Sequence, residues 1–310
     1  MSLLTTNIDY CGKEVTEILQ QVFGETLFKS KFGARMIQAM KSKYFYFDIS
    51  NSFEFAPYEC CPAVLPGNVT LNQRSRDLCE FMMTGVVCHK DLIGTAREWN
   101  YRQGMDAESI FDDSVFVGAM TENIIKTAGF QLDQIILNGN VAGGTGTYLD
   151  LCDGYITKWK ADATVIDILA VPANLTIAGI VGELNKLISA IPKTLLYNPS
   201  KPLKFGVSTQ IAIVYQQFLA ANAFMNPNNV NIALNYMGIE MVPLQGLPAS
   251  YMFLTYADNL ILVTDDMGDF DKLIFRDQSL SRICDEVQMK LQGRIAVDYG
   301  YGSDIVFYWV

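Results

Sequence analysis

The chain has 310 residues, half of them apolar and only 18% charged, with a net charge of −10. That length suffices for a sizeable core in one large domain or two smaller ones, and no segment reads as disordered. The acidic balance argues against direct DNA binding, because the chain would repel phosphates instead of releasing their counterions.

The charge is unevenly placed. Residues 1–105 carry 11 basic and 11 acidic side chains, whereas 106–310 carry 12 and 22. Lys29, Lys31, Arg35, Lys41 and Lys43 form a basic run with no acid between Glu25 and Asp48. A charge run is usually a solvated face. It also suits an arm resting on the acidic body of a neighbouring copy, and these five are the candidate inter-subunit contacts.

The start, Met-Ser-Leu-Leu-Thr-Thr-Asn-Ile-Asp-Tyr, lacks the basic-then-apolar pattern of a signal peptide. No apolar run reaches the roughly 18 residues of a membrane-spanning helix. Seven cysteines, an odd number in a fairly large chain, favour reduced thiols in a cytosolic product.

Residues 1–28 read as an arm followed by a short amphipathic helix, with Val15, Ile18, Leu19, Val22 and Phe23 at helical spacing. The aromatic, partly alternating stretch 43–55 reads as strand or hairpin. Pro57, Pro62, Pro66 and Gly67 punctuate an extended loop before strand-like sequence at 69–71 and 78–88. A long helix is predicted over 107–137, with Asp106 as N-cap and Asn138-Gly139 as the stop. Its stripe is Ile110, Val117, Met120, Ile124, Ala128 and Ile135. At 1.5 Å per residue this is a rod of roughly 46 Å.

Residues 138–154 hold five glycines. They do not make a phosphate loop, because Gly144-Thr-Gly-Thr147 lacks the following lysine. The loop also follows a helix and leads towards a strand, the reverse of a dinucleotide site. Beyond it, a helix over 174–191 ends at Pro192, and a strand at 204–207 enters a helix capped by Ser208 or Thr209 and running to about 223. Strands follow at 239–242, 251–255, 260–264, 273–275, 287–297 and 305–309. The class is α+β, with mostly antiparallel strands. From Phe205 to Ala257 the only charged residue is Glu240. That suits a surface buried between subunits or an ordinary domain core.

No catalytic, cofactor or metal constellation emerges. The single histidine, His89, has no nucleophile-elbow partner in Gly206-Val-Ser-Thr-Gln210. Cys60, Cys61, Cys79 and Cys88 lack the paired spacing of a zinc site and read as small buried hydrophobes. The acidic stretch 265–271 fails the calcium-loop register, since its twelfth position is Arg276.

The order of elements resembles the Hong Kong 97-type fold of tailed-phage major capsid proteins over nearly the whole chain. Four stretches carry the resemblance: the helix end Ile135-Ile-Leu-Asn-Gly139 with Asp153-Gly-Tyr-Ile-Thr157, then Lys204-Phe-Gly-Val-Ser208 entering a helix with Tyr215, then Met237-Gly-Ile-Glu-Met-Val-Pro243, and Asn259-Leu-Ile-Leu-Val-Thr-Asp265. The resemblance implies an N-arm at 1–28 and an extended loop region at 29–75. A peripheral domain at 76–159 and 266–310 would hold the spine helix, and 160–265 would be the axial domain. It implies a structural, non-enzymatic protein of the virion, assembled in the host cytoplasm around DNA held without sequence-specific contacts. Its partners would be its own copies in pentamers and hexamers, with scaffolding, portal and decoration proteins and no membrane. The family's Lys–Asn cross-link is not carried over, because no motif marks Lys41 or Lys43 for it. An encapsulin-like compartment shares the fold and is the first alternative; a phosphate-binding α/β enzyme is the second.

Overall fold

The computed structural model describes residues 8–10, 26, 28–38, 43–51, 69–88, 114–169, 174–222, 234–264, 272–277 and 286–309. The expected helix around 15–23, Asp106, Lys41, the Pro-rich loop, Cys60, Cys61, His89 and the acidic stretch 265–271 lie outside the described residues, as does the side chain of Cys88.

The first half holds β1 (Ile8–Tyr10), a π-helical turn (Phe28–Phe32), β2 (Arg35–Gln38), β3 (Lys43–Asn51), β4 (Val69–Asp77), β5 (Cys79–Cys88) and helix α1 (Ser114–Asn138). Next come α2 (Tyr155–Ala161), β6 (Ile166–Leu169), α3 (Ile180–Ala190), β7 (Leu203–Ser208) and α4 (Thr209–Ala221). The chain then runs through β8 (Asn235–Tyr236), β9 (Ile239–Leu244), β10 (Met252–Tyr256) and β11 (Leu260–Thr264). It finishes with β12 (Lys272–Asp277), β13 (Glu286–Tyr299) and β14 (Val306–Trp309).

Two six-stranded sheets and a separate two-stranded ribbon result. The first sheet runs β1-β12-β13-β11-β2, with β5 also paired to β13. The second runs β6-β14-β10-β7-β9-β8. Pairing is mostly antiparallel, with β2 on β11, β6 on β14 and β9 on β7 parallel.

The second sheet is covered on both faces. Ile180, Leu184 and Leu187 of α3 and Ile211 and Tyr215 of α4 pack on Phe205, Val207, Met252, Leu254, Val306 and Tyr308. The opposite face, with Val242, Leu244, Phe253 and Phe307, packs on α1, α2, Phe28 and Phe32. This is why β10 is buried at every position and reads as a continuous apolar run. At the junction Trp159 is fully buried, its ring 5.0 Å from Phe253, 5.2 Å from Phe307 and 5.5 Å from Tyr155.

Several expectations are corrected. In the described part of α1, Ala128 and Ile135 are buried as expected, joined by Ile125, Leu132 and Ile136, with Ile124 only half-buried; Ile110 and the side chains of Val117 and Met120 lie outside the described residues. The glycine-rich loop leads into helix α2, not a strand, and Gly154 stands at the helix's N-cap. The helix expected from 174 starts at Ile180, behind Gly179. Cys79 and Cys152, 73 residues apart, are joined in a disulfide, against the expectation of reduced thiols. Their Cα atoms are 5.9 Å apart, inside the usual range, because β5 begins against the loop after α1. The segment 28–38, where the arm was expected to pass at residue 29 into the extended loop region, packs on the body. Phe28 and Phe32 are fully buried, the Phe28 N–H donates to Asp133 of α1 at 3.2 Å, and β2 joins the first sheet.

Three local expectations about α1, α4 and β11 hold. Helix α1 ends at Asn138, Ser208 caps α4 by accepting from the Ile211 N–H at 3.3 Å, and β11 spans 260–264. Among the described residues, no helix is long and apolar enough to cross a membrane.

Candidate functional site

The most distinctive surface is the ribbon of β3 and β4, paired in register from Lys43↔Asp77 to Asn51↔Val69. Alternation gives it two unlike faces. Phe45, Phe47, Val69 and Leu71 share the outer face and are between 45% and 67% exposed. Large apolar side chains gathered on an open face mark a contact surface. A two-stranded ribbon is marginal by itself, so the inner face must hold it to the body.

It does so through Tyr44, Tyr46, Arg74 and Arg76. Arg74 donates to the carbonyls of Tyr299 at 2.7 Å and Gly300 at 2.8 Å, and its guanidinium lies over the rings of Tyr46 and Tyr299. Arg76 pairs with the fully buried Asp298 at 3.3 Å. Tyr44 and Tyr46 pack on Ile261, Val263 and Ala296. Burial, then the nearby Asp298 charge, push the Tyr44 hydroxyl up from its ordinary value.

The basic run does not form one continuous feature. Lys29 is half-buried in the π-helical turn, and burial lowers its pKa. Lys31 is exposed, its carbonyl accepting from Lys204 Nζ at 3.2 Å. Arg35 is exposed at the start of β2, and Lys43 pairs with Asp77 at the ribbon's base at 3.4 Å. Turn, strand and ribbon thus carry these charges separately. The sequence reading missed Arg74, Arg76, Lys158 and Asp298. The alternation Arg74-Ser-Arg76 was the available signal for two cations on one strand face.

A second exposed apolar surface lies at the α3–β7 end. Tyr197 (φ 66) and Met237 (φ 50) are the described non-glycine residues with positive φ, and both line one groove of about 360 Å³ with Leu195, Pro199 and Ile239. Met237-Gly238 forms the tight turn between β8 and β9, where Asn-Gly is the relaxed choice. Strain at two apolar, exposed positions around one groove favours a contact role for it.

The glycine-rich loop is bound up with itself. Asp150 accepts from the Thr145 hydroxyl at 2.9 Å and the Gly146 N–H at 2.6 Å, and Asp153 accepts from the Val141 N–H. A Cβ on Gly139 would lie 2.1 Å from the Cys152 carbonyl, and one on Gly154 2.7 Å from the Ile135 carbonyl. These two glycines let the loop's ends pass backbone against backbone beneath α1. Among the described residues, no cluster of three or more His, Cys, Asp or Glu could hold a metal.

With this geometry in place, comparison with solved structures is informative. The chain is similar to a chain of the satellite phage P4 procapsid including the size determination (Sid) protein. The TM-score is 0.61 at 13% identity, over 94% of this chain and 97% of that one. It is also similar to a chain of the cyanophage A-1(L) capsid asymmetric unit, at TM-score 0.55 and 10% identity over 92% of each. A virus-like particle from Pyrococcus furiosus gives 0.52 and 10%, over 94% and 95%. The chain has the Hong Kong 97-type capsid fold. No protein-family profile matches the sequence, and no curated protein matches it.

Proposed function

We propose that this chain is the major capsid protein of a tailed double-stranded DNA bacteriophage, a structural subunit and not an enzyme. The carrying observation is likeness in fold to capsid chains over nearly the full length of both partners. In this reading 1–28 is the N-arm, 29–75 the extended loop region with 29–38 drawn into the body, 76–159 and 266–310 the peripheral domain, and 160–265 the axial domain. Copies assemble into pentamers and hexamers of a virion shell in the host cytoplasm. Scaffolding, portal and decoration proteins are further partners, and the packaged DNA is held without sequence-specific contacts.

The ribbon's outer face supports this reading, because a subunit alone would leave Phe45, Phe47, Val69 and Leu71 in water. Purified protein, with its scaffold where one is needed, should give closed shells by negative-stain microscopy. A protein that stays monomeric under every such condition overturns the proposal. Phe47→Asp should abolish shells while leaving the subunit's circular dichroism unchanged. Replacing Lys29, Lys31, Arg35, Lys41 and Lys43 with Gln should weaken assembly in part, and high salt should mimic it.

A further inference from the structure

The Cys79–Cys152 bridge sits where three elements meet. Strand β4 ends at Asp77 and β5 begins at Cys79, so the bridge fastens the root of the ribbon to the segment between α1 and α2. Opposite Cys79 on β13 is Ile295, whose carbonyl lies 3.8 Å from Cys152 Sγ. The two cysteines differ in access, Cys152 being buried and Cys79 half-buried. Both border a cavity of about 190 Å³ whose polar wall carries Arg76, Asp77, Asp153 and Lys158.

Neither side of the bridge depends on it for its position. Strand β5 is paired to β13 along its whole length, from Cys79↔Ile295 to Cys88↔Glu286. The segment carrying Cys152 is closed on itself by two backbone bonds of 2.8 Å, from the Asn140 N–H to the Leu149 carbonyl and from the Gly154 N–H to the Gly139 carbonyl. Asp153 accepts from the Val141 N–H, and Lys158 Nζ donates to the Val297 carbonyl, which ties the start of α2 to β13. These bonds keep the two sulfurs together whether or not they are joined. A reduced Cys152 also has an acceptor in place, since its S–H is a weak donor and the Ile295 carbonyl faces it. A dithiol held in register closes by an intramolecular step at high effective concentration.

We infer that Cys79 and Cys152 form a reversible thiol–disulfide latch: the chain folds with both thiols reduced, and a low-molecular-weight disulfide then closes the bond through Cys79. The half-buried Cys79, as thiolate, attacks one sulfur of the small disulfide, forming a mixed disulfide and releasing the other half as a thiol. Cys152, its proton lost to solvent, attacks the Cys79 sulfur and expels the second half. Two protein thiols are oxidised to one disulfide, and the small disulfide takes up their two electrons and two protons as two thiols. Closing a loop across 73 residues restricts the unfolded chain, so the latch hardens the fold without reshaping it. In a shell protein the latch is open in the reducing host cytoplasm and closed after release, a placement that rests on the capsid reading. The chemistry of the pair does not rest on it.

The full-length, unassembled subunit tests that chemistry apart from any shell, so failure here leaves the capsid reading standing. Reduced with dithiothreitol, the subunit should keep the circular dichroism of the oxidised form, with a urea midpoint lower by roughly 0.5–1 M. Oxidised glutathione should restore the midpoint, and mass spectrometry of alkylated peptides should find Cys79 joined to Cys152. Cys152→Ser should hold glutathione on Cys79, whereas in Cys79→Ser the buried Cys152 should react roughly tenfold more slowly. In acid-quenched host cells both thiols should be free. A reduced subunit that unfolds, a midpoint that reduction leaves unchanged, or a Cys79 joined to another cysteine overturns the inference. So does faster capture at Cys152 than at Cys79, or a bridge already closed inside the cell. Should either variant not fold, the comparison of reduced and oxidised wild type decides alone.

Discussion

The ribbon and the second sheet end in opposite physical states. Strands β7, β10 and β14 are covered on both faces, by α3 and α4 on one side and by α1, α2 and the Phe28–Phe32 turn on the other. Their cohesion is apolar burial, which charge screening does not weaken. The ribbon has one face held by charges and rings and another left open. One region is covered within the chain, whereas the other leaves its outer apolar face open.

The comparison breaks first at Trp159. Its ring joins the two halves of the main core, so Trp159→Ala should lower stability by about 3–5 kcal/mol, read as a fall in the urea midpoint. A loss below about 1 kcal/mol would mean that the two sheets are held together elsewhere. Glu183 comes next. It is only 3% exposed and accepts from Lys186 at 2.8 Å, Tyr308 at 2.8 Å and Asn174 at 3.0 Å, tying α3 to β14. Burial acts to raise its pKa, yet these donors outweigh it and leave the carboxyl below its usual 4.5. Its stabilisation is therefore present above the ordinary carboxylate pKa and is lost as pH falls through the lowered value. Glu183→Gln should cost about 2 kcal/mol at neutral pH. The gap between variant and wild type should close in acid, as measured by urea titration at several pH values.

How much of this was legible in the sequence depends on the range of the contacts involved. Helix α1's stop, the Ser208 cap and β11 follow from local signals, and they came out in place. The order of elements sufficed for the fold. Gly154 misled because a glycine before Tyr155-Ile-Thr looks like strand entry. What decides for a helix is the buried side of Tyr155, Ile156 and Trp159, which only the assembled core reveals. The Cys79–Cys152 bridge and the Arg76–Asp298 pair span 73 and 222 residues, beyond any local pattern. Asp298 itself left a trace, a lone acid inside Ile295-Ala-Val-Asp-Tyr, where a strand otherwise apolar calls for a buried partner. The basic run was visible as composition. Its division among a turn, a strand and a ribbon was not, because Phe28 and Phe32 fix that segment through tertiary contacts alone.

The smallest expected effect sharpens the contrast most. Lys43 and Asp77 close the ribbon's base across the first cross-strand pair at 3.4 Å, but their side chains are 57% and 79% exposed. An ion pair so open to solvent gains little, because water screens the charges and two flexible side chains must be held still. Lys43→Gln should therefore change stability by less than about 0.5 kcal/mol, and a double-mutant cycle with Asp77→Asn should give a coupling no larger. Hydrogen exchange of the ribbon should stay at the wild-type rate, whereas Arg76→Gln, on the facing strand, should speed it. The two cations lie on the same short ribbon, yet only one reaches a carboxylate removed from water. A coupling above about 1 kcal/mol for the exposed pair would place the ribbon's attachment at its edge instead of its inner face. In that case the contrast with the second sheet would have to be redrawn around the base of β3.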